Sequence, residues 1–91
     1  MSHNPDYLIS YDISNTKRLQ KLARRLEKLA IRIQYSVFFA QAIGQEDLFE
    51  IMETINDVID DNEDDVRIYT IIDVGDALGR AVDLENPLLF I

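Results

Sequence analysis

Residues 31–40 read IRIQYSVFFA, and how this stretch divides decides the fold. Alternation puts Ile33, Tyr35, Val37 and Phe39 on one side and Arg32, Gln34, Ser36 and Phe38 on the other, the period of a strand. Periodicity alone favours a single strand. A tight bend near Gln34–Tyr35 would instead give a short edge strand followed by a longer inner one.

Each flank predicts a helix. Upstream, Leu19, Leu22, Ala23, Leu26 and Leu29 form one apolar stripe over about Thr16–Leu29, with Ser14, Asn15 or Thr16 able to cap the free N–H groups of its first turn. Downstream, Leu48, Met52, Ile55 and Ile59 predict the inner stripe of a second helix over about Gln45–Ile59, with Glu46 and Asp47 near its positive N-terminus. Further out, Tyr7–Asp12 (YLISYD) and Val66–Ile72 (VRIYTII) read as strands, DDNEDD (Asp60–Asp65) as an acidic turn, and Leu88–Ile91 (LLFI) as a final short strand after a tail containing Gly75 and Gly79. The order is β-α-β…α-β plus a tail. An α+β, ferredoxin-like β-α-β-β-α-β sandwich accommodates it if residues 31–43 supply two strands. Residues 1–91 are expected to form one domain, with its core over about 7–72 and a C-terminal tail over 73–91.

The 91 residues are 47% hydrophobic and 29% charged, which suits a globular domain rather than a disordered one. With no cysteine there is no disulfide framework and no thiolate nucleophile. MSHNPDYL lacks the basic-then-apolar form of a secretory signal, and the expected location is the cytoplasm. The net charge of −8 argues against a polyanionic partner until its distribution is examined. Residues 17–32 hold seven bases (Lys17, Arg18, Lys21, Arg24, Arg25, Lys28 and Arg32) against Glu27 alone, whereas residues 46–65 hold ten acids and no base. Local field, not total charge, governs where a polyanion docks.

Asp12 is the first chemical candidate, since it ends a strand just before a helix. Its carboxylate is a hard oxygen ligand suited to Mg²⁺ or Mn²⁺, and in a two-fold dimer two copies could meet. The plainer reading is a turn or capping aspartate. The basic helix is the second candidate: Lys17, Arg18, Arg24 and Arg25 are phosphate contacts if the helix follows a nucleic-acid backbone, or a solvated face if it does not. Arg32 and Phe38, expected on a sheet face turned away from the helices, suit base stacking or, better, a dimer seam. Asp60, Asn62 and Asp64 imitate the start of a calcium loop, but Asp65 replaces its glycine and Ile71 its closing glutamate, so that motif is rejected. His3 belongs to no motif, and no Gly-rich phosphate loop or catalytic triad is present.

YDIS at a strand end, TKRLQKLARRLE, RIQYSVF, an acidic helix and VRIYTI together resemble the CRISPR-associated protein two family, the small subunit of spacer acquisition. The likeness covers about residues 7–72, and RIQYSVF is its most specific piece. It implies a ferredoxin-like fold and a homodimer in which C-terminal strands of one chain complete the other's sheet. It also implies a bridge between copies of the CRISPR integrase that holds duplex DNA. A metal-dependent nuclease activity on RNA or double-stranded DNA is implied as well, with Asp12 as the Mg²⁺ (or Mn²⁺) ligand shared between subunits. Tyr11, Arg18, Arg32 and Phe38 match positions tied to substrate contact or activity. Three departures stand out: Phe39 and Ala40 where an acid commonly follows SVF, Ala30 in place of a glycine, and the strongly acidic second helix. The charge layout favours a scaffold over an enzyme. A small RNA-cleaving toxin of related fold is the alternative.

Overall fold

The computed structural model describes residues 4–73, 80–84 and 87–90. His3, Gly75, Gly79 and Ile91 lie outside them. The elements run β1 (Asp6–Asp12), α1 (Thr16–Leu26), β2 (Ile31–Gln34), β3 (Val37–Ala40), α2 (Gln45–Val58), β4 (Asp65–Asp73), β5 (Arg80–Val82) and β6 (Leu89–Phe90). The sheet order is β2-β3-β1-β4-β5, with β6 also on β4, and every pairing is antiparallel. This is the ferredoxin-like arrangement, and the stretch that decides it is two strands, not one.

The division falls at Tyr35–Ser36, in a turn without glycine. The Tyr11 backbone N–H donates to the Ser36 carbonyl at 3.1 Å, and side chains add to this. The Tyr35 carbonyl accepts from Arg32 Nη2 at 2.6 Å, Arg32 Nε at 3.2 Å and the Tyr11 hydroxyl at 3.2 Å. The split also reverses the expected facing of this segment. Ile9 of β1 pairs with Phe38, and both are completely buried, so Phe38 and Ala40 point under the helices. Val37 and Phe39, expected inside, are only half-buried and take the opposite face. The pairing of Arg32 with Phe38 carries Arg32 to the helix side as well. An alternating run specifies two faces but not which one is covered.

Asn15 caps α1, its Oδ1 accepting the Arg18 N–H at 3.0 Å. Leu19, Leu22, Ala23 and Leu26 are buried as expected, while Leu29 lies beyond the helix and packs at the core's margin. In α2 the buried positions are Ile51, Thr54, Ile55 and Val58; Leu48, Met52 and Ile59, expected innermost, sit at the edge. The apolar face of α2 is broad, and the sheet lies under its other rim.

The tail supplies two strands where one was expected. Both lie on β4 of the same chain, β5 against Ile71–Asp73 and β6 against Arg67–Ile68, so that β4 has β1 on one side and the tail on the other.

The acidic turn is built from its own charges. Asp60 Oδ1 accepts the Asn62 N–H, and Asp64 Oδ2 accepts the Asp60 N–H at 2.8 Å. The fully buried Asp64 carboxylate also receives Arg18 through Nε at 2.9 Å and Nη2 at 3.1 Å, fastening the first turn of α1 to the start of β4. Burial alone raises the Asp64 pKa, but the Arg18 hydrogen bonds, the Asp60 amide and the Arg18 charge outweigh it and hold the carboxyl below its usual range. A depressed folded value means stability that is complete above the unfolded value of about 4 and lost as pH falls through the folded one. Asp64→Asn is therefore expected to lower stability at pH 7 by about 2–3 kcal/mol, with the difference shrinking below pH 4. Urea unfolding of both proteins at pH 7 and pH 3 measures this, and equal stability at pH 7 would refute the clamp.

Candidate nucleic-acid interface

The seven bases of residues 17–32 are sorted by helical geometry. Lys17, Lys21, Arg24 and Lys28 recur at spacings of four, three and four, which places them on one side of α1 and the turn after it. All four are exposed, and none has an ion-pair partner among the described residues. From Lys17 to Arg24 the stripe extends about 10 Å along the axis. It lies opposite the buried Leu22 and Leu26, so the charges meet solvent and not the core.

The other three bases are engaged within the chain. Arg18 is held by Asp64 and Glu63, the latter at 3.1 Å. Arg25 reaches α2, with Asp57 at 3.6 Å and Thr54 Oγ1 at 3.5 Å. Arg32 lies 3.9 Å from Glu27, and its guanidinium sits 5.2 Å from the centre of the Tyr35 ring and 5.8 Å from that of Phe38. Of the expected phosphate contacts, Lys17 and Arg24 are therefore unencumbered, while Arg18 and Arg25 bind the protein's own acids. Lys21 and Lys28 complete the free stripe.

Phe38 and Tyr11 correct the expectation of an open stacking surface. Their rings stack at 6.1 Å inside the core, with only 3% of Tyr11 exposed. Burial pushes the Tyr11 hydroxyl upward against the opposing effect of Arg32, so it remains a neutral donor. Tyr11, Arg32 and Phe38 thus form one cluster on the helix side of the hairpin, where they hold the turn. The face of the sheet away from the helices carries other residues: Leu8, Ser10, Asp12, Val37, Phe39, Arg67, Tyr69 and Ile71, by register.

Asp12 is exposed on that second face, at the end of β1. Its partner across the β1–β4 ladder is Asp65, a residue that appears in the sequence as only one more acid of the turn. Directly opposed like charges repel. Arg67 offsets this, binding Asp65 through Nη2 at 3.2 Å and Nε at 3.3 Å. With Ser10, Tyr11 and Tyr69 these groups line a polar depression of about 170 Å³. Two hard carboxylates suit Mg²⁺ or Mn²⁺, but no cluster of three or more potential ligands occurs among the described residues. One chain fits part of a metal shell; waters, phosphate oxygens or a second Asp12 would supply the rest.

Among the described residues no helix is long and apolar enough to cross a membrane. Residues 6–76 match the family model described as CRISPR associated protein Cas2. The chain is 38% identical over 64 residues to the CRISPR-associated endoribonuclease Cas2 1 of Nitrosomonas europaea, covering 70% of this chain but 60% of that protein. It is 34% identical over 86 residues to the CRISPR-associated endoribonuclease Cas2 2 of Thermodesulfovibrio yellowstonii, covering 86% and 93%. A crystal structure of Streptococcus pyogenes Cas2 superposes with a TM-score of 0.63 at 28% identity, over 70% of this chain and 82% of that one.

Completely buried beside Ile9, Phe38 has a packing role. Phe38→Ala is expected to cost about 3–5 kcal/mol of stability, and Phe38→Leu far less. A chemical unfolding series checks this, and an alanine variant of parental stability would return Phe38 to the surface.

Proposed function

The chain belongs to the CRISPR-associated Cas2 family, and from that premise we propose that it is a CRISPR adaptation protein. It acts as a homodimer that holds duplex DNA along α1 and bridges copies of the CRISPR integrase. The observation carrying this reading is the stripe of Lys17, Lys21, Arg24 and Lys28, four exposed cations with no ion-pair partner among the described residues. Such a row neutralises phosphates regardless of sequence. Among the described residues, Asp64, Glu63 and Asp57 bind Arg18 and Arg25, and further acids are spread over α2, where they repel a polyanion from the wrong side.

Leu8, Val37, Phe39 and Ile71, half-buried on the sheet face away from the helices, suit a seam with a second copy. That packing would bring the two Asp12 side chains toward one axis. A second reading rests on the pairing of Asp12 with Asp65: a metal-dependent endonuclease acting on RNA or DNA. Mg²⁺ or Mn²⁺ would supply Lewis-acid activation of water and phosphate. Asp12 would hold it, and Arg67 would keep Asp65 oriented at its side.

Duplex affinity should fall steeply with salt, and Lys17→Ala with Lys21→Ala and Lys28→Ala should reduce the slope of log K against log salt by about 2–3, near 0.9 for each lost phosphate contact. Arg25→Ala should leave that slope nearly unchanged. A flat salt dependence in the parent removes the interface. For the second reading, Asp12→Asn is expected to abolish metal-dependent cleavage while preserving duplex affinity and spacer acquisition. Loss of acquisition by a folded Asp12→Asn protein would make the chemistry, not the scaffold, the primary role.

A further inference from the structure

Beside the cationic stripe, between α1 and the β2–β3 hairpin, lies a groove of about 380 Å³. We propose that this groove receives a single unpaired nucleotide of a bound strand, its base stacked on Tyr35 and its phosphate on Arg24. The inference rests on the nucleic-acid reading of α1 and adds a discrimination that a row of phosphate contacts cannot provide.

Four observations converge on it. The volume falls within the range of small-ligand sites and is enough for one nucleotide. Its floor is apolar, being formed by the buried residues Leu19 and Ala23. Tyr35 stands at its rim with 70% of its surface exposed, so its ring is accessible to a ligand. The Arg32 guanidinium lies 5.2 Å from the Tyr35 ring centre and is tied to the Tyr35 carbonyl, so the ring and the cation form a preassembled surface. Bases stack well on such aromatic–arginine pairs whatever their identity.

Arg24 links the groove to the stripe. It lines the groove, lies on the same helical face as Lys17, Lys21 and Lys28, and has no ion-pair partner among the described residues. A backbone following the stripe therefore arrives at the groove mouth with a phosphate already neutralised. Gln20 and Glu27, on the helical side of the same groove, offer an amide and a carboxylate to the edge of a base. Within an intact duplex every base is stacked and paired, so only a strand end, a gap or a flayed junction can fill the groove.

The test uses the full chain and two DNA duplexes of equal phosphate count, one blunt and one ending in an unpaired 2-aminopurine nucleotide. At a fixed salt concentration the tailed duplex should bind about tenfold more tightly, the gain expected from one stacked base, and the 2-aminopurine fluorescence should be quenched. Tyr35→Ala should abolish both the gain and the quenching while binding the blunt duplex within about twofold of the parent, as expected for a side chain outside the phosphate stripe. Tyr35→Phe should retain both. Equal affinity of the parent for the two duplexes, or a gain that survives Tyr35→Ala, overturns the groove and leaves the phosphate interface standing. Failure of the parent to bind either duplex overturns both.

Discussion

The carbonyl oxygen of Tyr35 gathers the side chains that hold the point on which this sheet turns. It receives two donors from Arg32 and one from Tyr11. Turns of two residues usually rely on glycine or asparagine to relieve their backbone geometry. Here neither is present, and hydrogen bonding from side chains on β2 and on the neighbouring strand β1 stands in. Because the turn forms, residues 31–40 fold back on themselves, β3 can lie between β2 and β1, and the order β2-β3-β1-β4 becomes accessible. Arg32 and Tyr35 also line the groove beside α1, so the fold and that candidate site share their fastening.

Charge in this protein is segregated at two scales. Along the chain, bases collect in α1 and acids in α2 and the turn after it. Around α1, a second sorting follows from the helical period: Arg18 and Arg25, seven residues apart, face the acids and bind them, while Lys17, Lys21, Arg24 and Lys28 face solvent. The acidic segment thus has two effects. It neutralises the bases that anchor α1, and it makes the remaining surface repulsive to a polyanion. A whole-molecule charge of −8 is compatible with nucleic-acid binding because the favourable field is concentrated on one stripe and the unfavourable one kept apart from it.

Long-period features of this fold were legible from residues alone. The helical stripe of Leu19, Leu22, Ala23 and Leu26 and the strands at YLISYD and VRIYTII each repeat often enough to identify an element. What was not legible depended on facing and register. Phe38 and Phe39 are adjacent aromatics, and only the pairing of β3 with β1 determines which is buried. In α2 two overlapping stripes share Ile55, and the sheet beneath selects the one through Ile51 and Val58. The candidate site shows the same division. Asp12 could be placed at a strand end, but its juxtaposition with Asp65 spans more than fifty residues and exists only through the β1–β4 ladder. Arg18 carried the right charge and lay on the right helix. Its commitment to Asp64 required knowing that the acidic turn folds back onto the first turn of α1.

The separation of Asp12 from the cationic helix has a mechanistic consequence. Successive residues of β1 face opposite ways, so Tyr11 enters the helix-side cluster while Asp12 points to the other face of the sheet. The free cations lie on the outside of α1, with the helix and the sheet between them and Asp12. A nucleic acid bound along the stripe is therefore not held over that carboxylate by the same chain. Within one subunit, gripping the backbone and doing metal chemistry are served by different surfaces. Any coupling between them has to come from a strand that rounds the end of the sheet near residues 13–16, or from a second subunit presenting its own Asp12. A protein built mainly to cleave gains by placing its strongest phosphate contacts around the reacting bond. Here the unpaired cations of the stripe are on the far side of the helix, an arrangement that suits holding a strand better than cutting it.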